Sequence, residues 1–330
     1  MRGINILTLS FLSALVVAAF MPVQVVQAGE EQRAPPSARS AGTLSDQVMR
    51  AISSIQELMN PEDENDAPDL DGAKEELDRL YERRYERMND FEKSTILNFY
   101  TNYYLTTENI PEAIRIFNQV LTIEELREDT RLRALRSLGQ LNMQQENWRD
   151  AIGNYQAWRE LSIEEDVIVY RGIAYSHYQL EELLEAEPYW ILFMELTADT
   201  GTELTRSDYS FLVGLYFTLE DFPNALEVTN TMIMLYDDPA DWRNLSAIYS
   251  GLGDDERSLK TLNVAYLKGI FESESRFLNL SQSLAGSEAP YSGSKIMEDG
   301  YAQGIVEESE ENYTTLTQMY MIANLFEEAL

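Results

Sequence analysis

Apolar positions recur along most of the chain at spacings of three and four. Leu44, Val48, Ile52, Ile55 and Leu58 fall on one side of a helix, and Ala73, Leu77, Leu80 and Tyr81 mark a second. From Phe91 to Leu330 the same period continues, broken only by short polar stretches. No useful length of apolar–polar alternation occurs, so the pattern predicts an all-α protein. Two segments depart from it. Residues 29–42 are rich in Pro, Ser, Ala and charge and predict a flexible leader that can bury no core. Residues 60–71 form an acidic break containing proline.

The helical segments repeat. Ala113, Ala151, Ala186, Ala225, Ser258, Gly293 and Ala329 are small residues at gaps of 38, 35, 39, 33, 35 and 36. Each follows a helix-spaced set of large residues, such as Trp242, Leu245 and Tyr249 before Ser258, or Tyr170, Ile173 and His177 before Ala186. Small residues suit a close helix crossing, and the large ones fill the space to the next pair. This phrasing resembles the tetratricopeptide repeat, a helix pair of about 34 residues that must stack to bury a core. The resemblance implies a tetratricopeptide-type α-solenoid, a right-handed superhelix of antiparallel helix pairs. About six to seven repeats are expected over residues 88–330, with the last incomplete because the sequence stops soon after Phe326 and Ala329. Residues 43–87 match the motif poorly and are expected to form a degenerate N-terminal cap.

The N-terminus changes the compartment. Arg2 precedes an apolar run from Ile4 to Phe20, and Val26-Gln27-Ala28 offers small residues before a cut. Residues 1–28 therefore predict a cleavable signal peptide, with no stable membrane insertion once it is removed. With no cysteine in 330 residues, the chain can form neither disulfides nor thiolate metal sites, and a bacterial periplasm is the expected location. The net charge of −32 argues against nucleic acid as a partner, because binding phosphates needs clustered Lys and Arg.

Candidate chemistry is sparse. His177 is the single histidine, and Glu181 is its expected helical-spacing neighbour. One such pair is a weak metal signal, and a packed histidine is the simpler reading. The acidic run at residues 61–66 lacks the order of a calcium loop. The sequence thus predicts no enzyme, no catalytic or metal residues and no cofactor. Recognition remains. Residues just after the leading large residue of each first helix are expected to face an inner groove, namely Asn98, Arg136, Arg171, Ser210, Arg243 and Leu278. One turn on come Asn102, Gln140 and Tyr175, then Met143, Tyr178 and Phe217. Arg can fork a carboxylate and Asn or Gln can clamp an extended backbone. The predicted peptide-binding set is Asn98, Asn102, Arg136, Gln140, Arg171, Tyr175, Tyr178 and Arg243. The competing reading has the arginines as salt bridges between neighbouring repeats.

Asn98-Phe99-Tyr100, Tyr103-Tyr104, Ile110-Pro111-Glu112-Ala113-Ile114, Trp242-Arg243-Asn244-Leu245, the stretch 259–269 and the stretch 274–280 carry a narrower likeness. They resemble the periplasmic tetratricopeptide proteins of gammaproteobacteria encoded beside TonB, ExbB and ExbD. That resemblance implies a non-enzymatic scaffold accessory to TonB-dependent uptake, with TonB, ExbD or a TonB-dependent receptor as partner. The alternatives are a scaffold for outer-membrane assembly, polysaccharide export or cell-wall synthesis, or the repeat part of a longer enzyme. The high acidity and the 60–71 insertion depart from that group.

Overall fold

The computed structural model describes residues 42–61, 63 and 67–329. The expected signal peptide, nearly all of the leader and most of the acidic run at 61–66 lie outside them. Among the described residues there are fifteen α-helices, one turn of 3-10 helix and no strand. They are α1 (Asp46–Met59), α2 (Leu70–Arg84), α3 (Asp90–Thr106), α4 (Ile110–Leu121), α5 (Glu128–Gln144), α6 (Trp148–Leu161), α7 (Val167–Gln179) and α8 (Leu183–Asp199). They continue with α9 (Arg206–Thr218), α10 (Phe222–Tyr236), α11 (Pro239–Gly251), α12 (Asp255–Leu267), α13 (Glu274–Gly286), α14 (Pro290–Ala302) and α15 (Glu310–Ile322).

From α3 onward the helices pair, and each pair packs on the next. The fold of the described residues is a tetratricopeptide-type α-solenoid. Ala113, Ala151, Ala186 and Ala225 are all fully buried in their crossings. At the fifth, Ser246 donates a hydrogen bond to the Ser258 carbonyl at 2.8 Å. The α1–α2 pair packs on α3 and is anchored by Glu92, which accepts bonds from the Ser45 N–H and hydroxyl at 2.9 and 2.6 Å. The seventh unit is incomplete, as expected. After α15, residues 326–329 are turns and not yet a helix.

Six helix pairs are joined in the same way, by the three-residue turns 107–109, 145–147, 180–182, 219–221, 252–254 and 287–289. The middle residue of each has a left-handed backbone: Glu108, Glu146, Glu181, Glu220, Gly253 and Glu288, with Asn324 following α15 in the same register. The third residue donates its N–H five residues back at 2.8–2.9 Å, from Asn109 to the Tyr104 carbonyl through Leu325 to Tyr320. This is a Schellman-type helix end, repeated once per unit. Each left-handed residue lies five before the small residue, so the backbone repeats with the same gaps as the sequence. The connectors between pairs follow no such rule and run from two residues (237–238) to seven (303–309).

Tyr155 shows how tightly the units close. Its ring is fully buried between Gly139 on α5 and Gly172 on α7. A Cβ at either glycine would stand 2.4 Å from the ring. The absence of a side chain at both positions lets one tyrosine join two repeats.

Candidate functional site

Residues at i, i+4 and i+7 share one face of a helix. On α7 these are Arg171, Tyr175 and Tyr178, all exposed. On α3 Asn98 and Asn102 are exposed, on α5 Gln140 is exposed, and on α9 Phe217 is 43% exposed. Six of the eight predicted residues are thus exposed, on the first helices α3, α5 and α7. Arg136 and Arg243 are only partly exposed. Leu278 packs into the apolar clusters of the last units.

The three arginines separate into two kinds. The Nε of Arg136 bonds Asp166 at 2.7 Å, and the other oxygen of that carboxylate caps α7 by accepting from the Ile168 N–H at 2.7 Å. Arg136 therefore ties one repeat to the next, as the competing reading expected. Among the described residues neither Arg171 nor Arg243 has a carboxylate within 4.0 Å. Arg243 reaches only the Asn244 side chain, at 3.5 Å. The Arg171 guanidinium lies 5.4 Å from the ring centre of Phe193 and 6.0 Å from that of Trp190, within cation–π range.

Beside Arg171 is an aromatic surface that sequence reasoning captured only in part. Tyr175 meets Trp148 edge-on at 5.9 Å, and its ring centre lies 6.5 Å from that of Phe211. Tyr178 rests on Phe211 at 4.8 Å. Phe211 in turn stacks on Trp190 at 3.7 Å, and the Trp190 N–H is spent on the Asp208 carbonyl. Trp148 and Phe211 are the residues that were missed. Trp148 opens a second helix, α6, and Phe211 sits one residue past the predicted Ser210. The available signal was that Phe211 immediately follows a groove position and that Trp148 stands three residues before Ala151.

A cleft of about 290 Å³ is lined by Asn98, Thr101, Phe117, Thr130, Arg133, Ala134 and Ser137. It places Asn98 in a concavity between the first two complete units. Asn102 and Gln140 are not among its lining residues.

His177 is buried and stacks parallel to Tyr189 at 5.9 Å. Its Nδ1 lies 2.8 Å from Glu182, not from the expected Glu181. The reason is the turn. The left-handed residue 181 ends the helical register, so residue 182 returns toward the helix while Glu181 points to solvent. Arg149 also binds the Glu182 carboxylate. The His177 hydrogen bond and then Arg149 hold that carboxyl below its ordinary range. The trio joins α6, α7 and the start of α8 and is a structural clasp. Among the described residues no group of three or more His, Cys, Asp or Glu side chains is arranged to hold a metal ion.

No family model matches the chain, and no curated protein matches it. Solved structures do. A tetratricopeptide repeat protein from Parabacteroides merdae is 11% identical, with 86% of this chain and 99% of that one covered and a TM-score of 0.44. YrrB, described as a TPR protein with an unusual peptide-binding site, is 14% identical over 57% of this chain and 90% of its own, at a TM-score of 0.43. The TPR2AB domain of yeast Sti1, solved as a complex with pHSP90, is 13% identical over 86% and 98%, at 0.41.

Proposed function

We propose that the chain is a non-enzymatic protein-interaction scaffold that takes an extended segment of a partner on the exposed face of its first helices. The observation that carries this reading is Arg171. It is exposed and has no carboxylate partner among the described residues, in a chain with 57 acidic residues against 25 basic ones. Half-exposed Tyr175 and Tyr178 stand beside it on the same helical face. An unpaired guanidinium next to aromatic rings is a recognition feature, because Arg and Tyr concentrate binding energy at interfaces. Selection of a random peptide library against the full chain tests the reading. Ligands should be retained by the native chain and lost by the Arg171→Glu, Arg243→Glu double variant at unchanged helicity. Equal recovery on both refutes the groove.

The same proposal extends to the cell. The apolar N-terminus followed by Val26-Gln27-Ala28 supports a periplasmic location. The likeness of residues 98–100, 103–104, 110–114, 242–245, 259–269 and 274–280 to TonB-associated repeat proteins supports TonB, ExbD or a TonB-dependent receptor as the partner. Crosslinked affinity capture from periplasm checks this part separately. Enrichment of outer-membrane assembly, export or cell-wall machinery in place of those proteins removes the TonB assignment and leaves the scaffold.

A further inference from the structure

The chemistry of the aromatic face restricts what can lie on it. Its polar atoms are overwhelmingly donors. The Trp148 indole and the Arg171 guanidinium can only donate, and the Tyr175 and Tyr178 hydroxyls each have a proton to give. Among the described residues none of these four groups is hydrogen-bonded to another protein atom. The rings that carry them are half-exposed and adjacent, with Tyr175 36% and Tyr178 38% accessible, and Phe211 forms the floor beneath both.

Three recognition modes can be compared against this surface. Addition of a strand needs a free sheet edge, and the described residues contain no strand. A docked amphipathic helix needs a continuous apolar trough, whereas the charged Arg171 and the exposed Gln179, four residues after Tyr175, interrupt this face of α7. An extended polyproline segment needs flat aromatic walls and donors. Proline has no N–H, so its backbone offers carbonyl acceptors alone, and in the polyproline conformation those carbonyls bond to nothing within the segment. A surface of donors on aromatic rings complements a backbone of acceptors. The unpaired Arg171 supplies the remaining condition, a carboxylate in the ligand.

Resting on the peptide-binding reading above, we propose that the face formed by Trp148, Arg171, Tyr175, Tyr178 and Phe211 binds a proline-rich, acidic segment of a partner protein in the polyproline conformation.

The test is calorimetric titration of the full chain with three end-capped peptides. The first is a 12-residue proline peptide with glutamate at about every fourth position. The second keeps the glutamates and replaces each proline by alanine. The third keeps the prolines and replaces each glutamate by glutamine. The first should bind at least about tenfold more tightly than either of the others. Arg171→Gln should abolish the preference for glutamate over glutamine, and Tyr178→Ala should weaken the first peptide by about tenfold, both at unchanged far-ultraviolet circular dichroism. Equal or tighter binding of the alanine peptide overturns the polyproline inference and leaves an extended-peptide groove standing. Retention of the glutamate preference in Arg171→Gln overturns the assignment to this face. Absence of binding by all three peptides also overturns the inference, and the library selection then decides the broader reading by itself.

Discussion

Replacing Glu108, Glu146, Glu181, Glu220 and Glu288 together by glycine should stabilise the protein, although no contact is added. All five hold a left-handed backbone, with φ between 55 and 63°. That conformation brings Cβ against the carbonyl and costs an L-residue about 1–2 kcal/mol. Glycine escapes the clash but gives up about 0.5–1 kcal/mol through its freer unfolded chain. The difference is about 0.5–1 kcal/mol per site. Repeats couple mainly to their neighbours and the turns are well separated, so the five should add to about 2.5–5 kcal/mol. At about 2 °C per kcal/mol, the melting temperature should rise by about 5–10 °C. Thermal and urea unfolding followed by circular dichroism provide the assay. Removing five negative charges from a chain of net charge −32 also relieves repulsion. A matched set of five Glu→Gln substitutions isolates that effect, since it removes the charges and keeps the side chains. The chain also contains its own reverse control. Gly253 occupies the same turn position at φ 74°, so Gly253→Glu should cost about 0.5–1 kcal/mol. If the glycine set is no more stable than the glutamine set, the backbone argument is wrong.

Three further outcomes follow from the packing. Gly172→Ala should drive a methyl into the Tyr155 ring and lower stability by about 1–3 kcal/mol, seen as a lower urea midpoint at an unchanged slope. Arg206→Met should leave the buried Asp241 carboxylate without its guanidinium partner and cost about 1–3 kcal/mol, whereas Arg206→Lys should recover part of that loss. Glu92 is buried, which raises its pKa, but its bonds from Ser45 and from the Asn89 N–H outweigh burial and hold it below the ordinary value. Because the folded pKa is depressed, its contribution is present above about pH 4.3 and is lost as pH falls through the folded value. The protection of α1 amides relative to their intrinsic exchange should therefore fall below about pH 4 in the native chain, and Glu92→Gln should flatten that response.

Much of the fold was legible because its constraints are carried by packing residues. A small residue is needed wherever two helices cross closely, so Ala113, Ala151, Ala186 and Ala225 revealed the repeat before any coordinates did. The turns were not legible, and the reason is physical. Glutamate is a good helix former and an improbable left-handed residue. Glu108 and its equivalents fall in the short polar breaks without marking a left-handed position, whereas Gly253 is the residue type that such a turn favours. The same blind spot misdirected the histidine pairing, since helical spacing from His177 points to Glu181 and the turn delivers Glu182. The candidate site was half legible. Helical spacing placed Arg171, Tyr175 and Tyr178 on one face. It could not show that Arg136 is already committed to Asp166, nor that Trp148 on the preceding helix, α6, stands against Tyr175. Those facts depend on contacts between elements and on side-chain reach, which one-dimensional spacing does not encode.

The contrast between rigid turns and elastic connectors has a consequence for how such a chain can change length. Within a pair, a residue more or less would break the hydrogen bond that reaches back five positions and would rotate the second helix off its small-residue contact. Between pairs, the chain already spans anything from two to seven residues without disturbing the stack. Insertions, tags or acquired sequence should thus be absorbed at 122–127, 162–166, 200–205, 268–273 and 303–309, and rejected at the six inner turns. Variation in this architecture is confined to the joints between layers, so a lineage can lengthen, decorate or re-aim its surface there while every layer keeps one unvarying hinge.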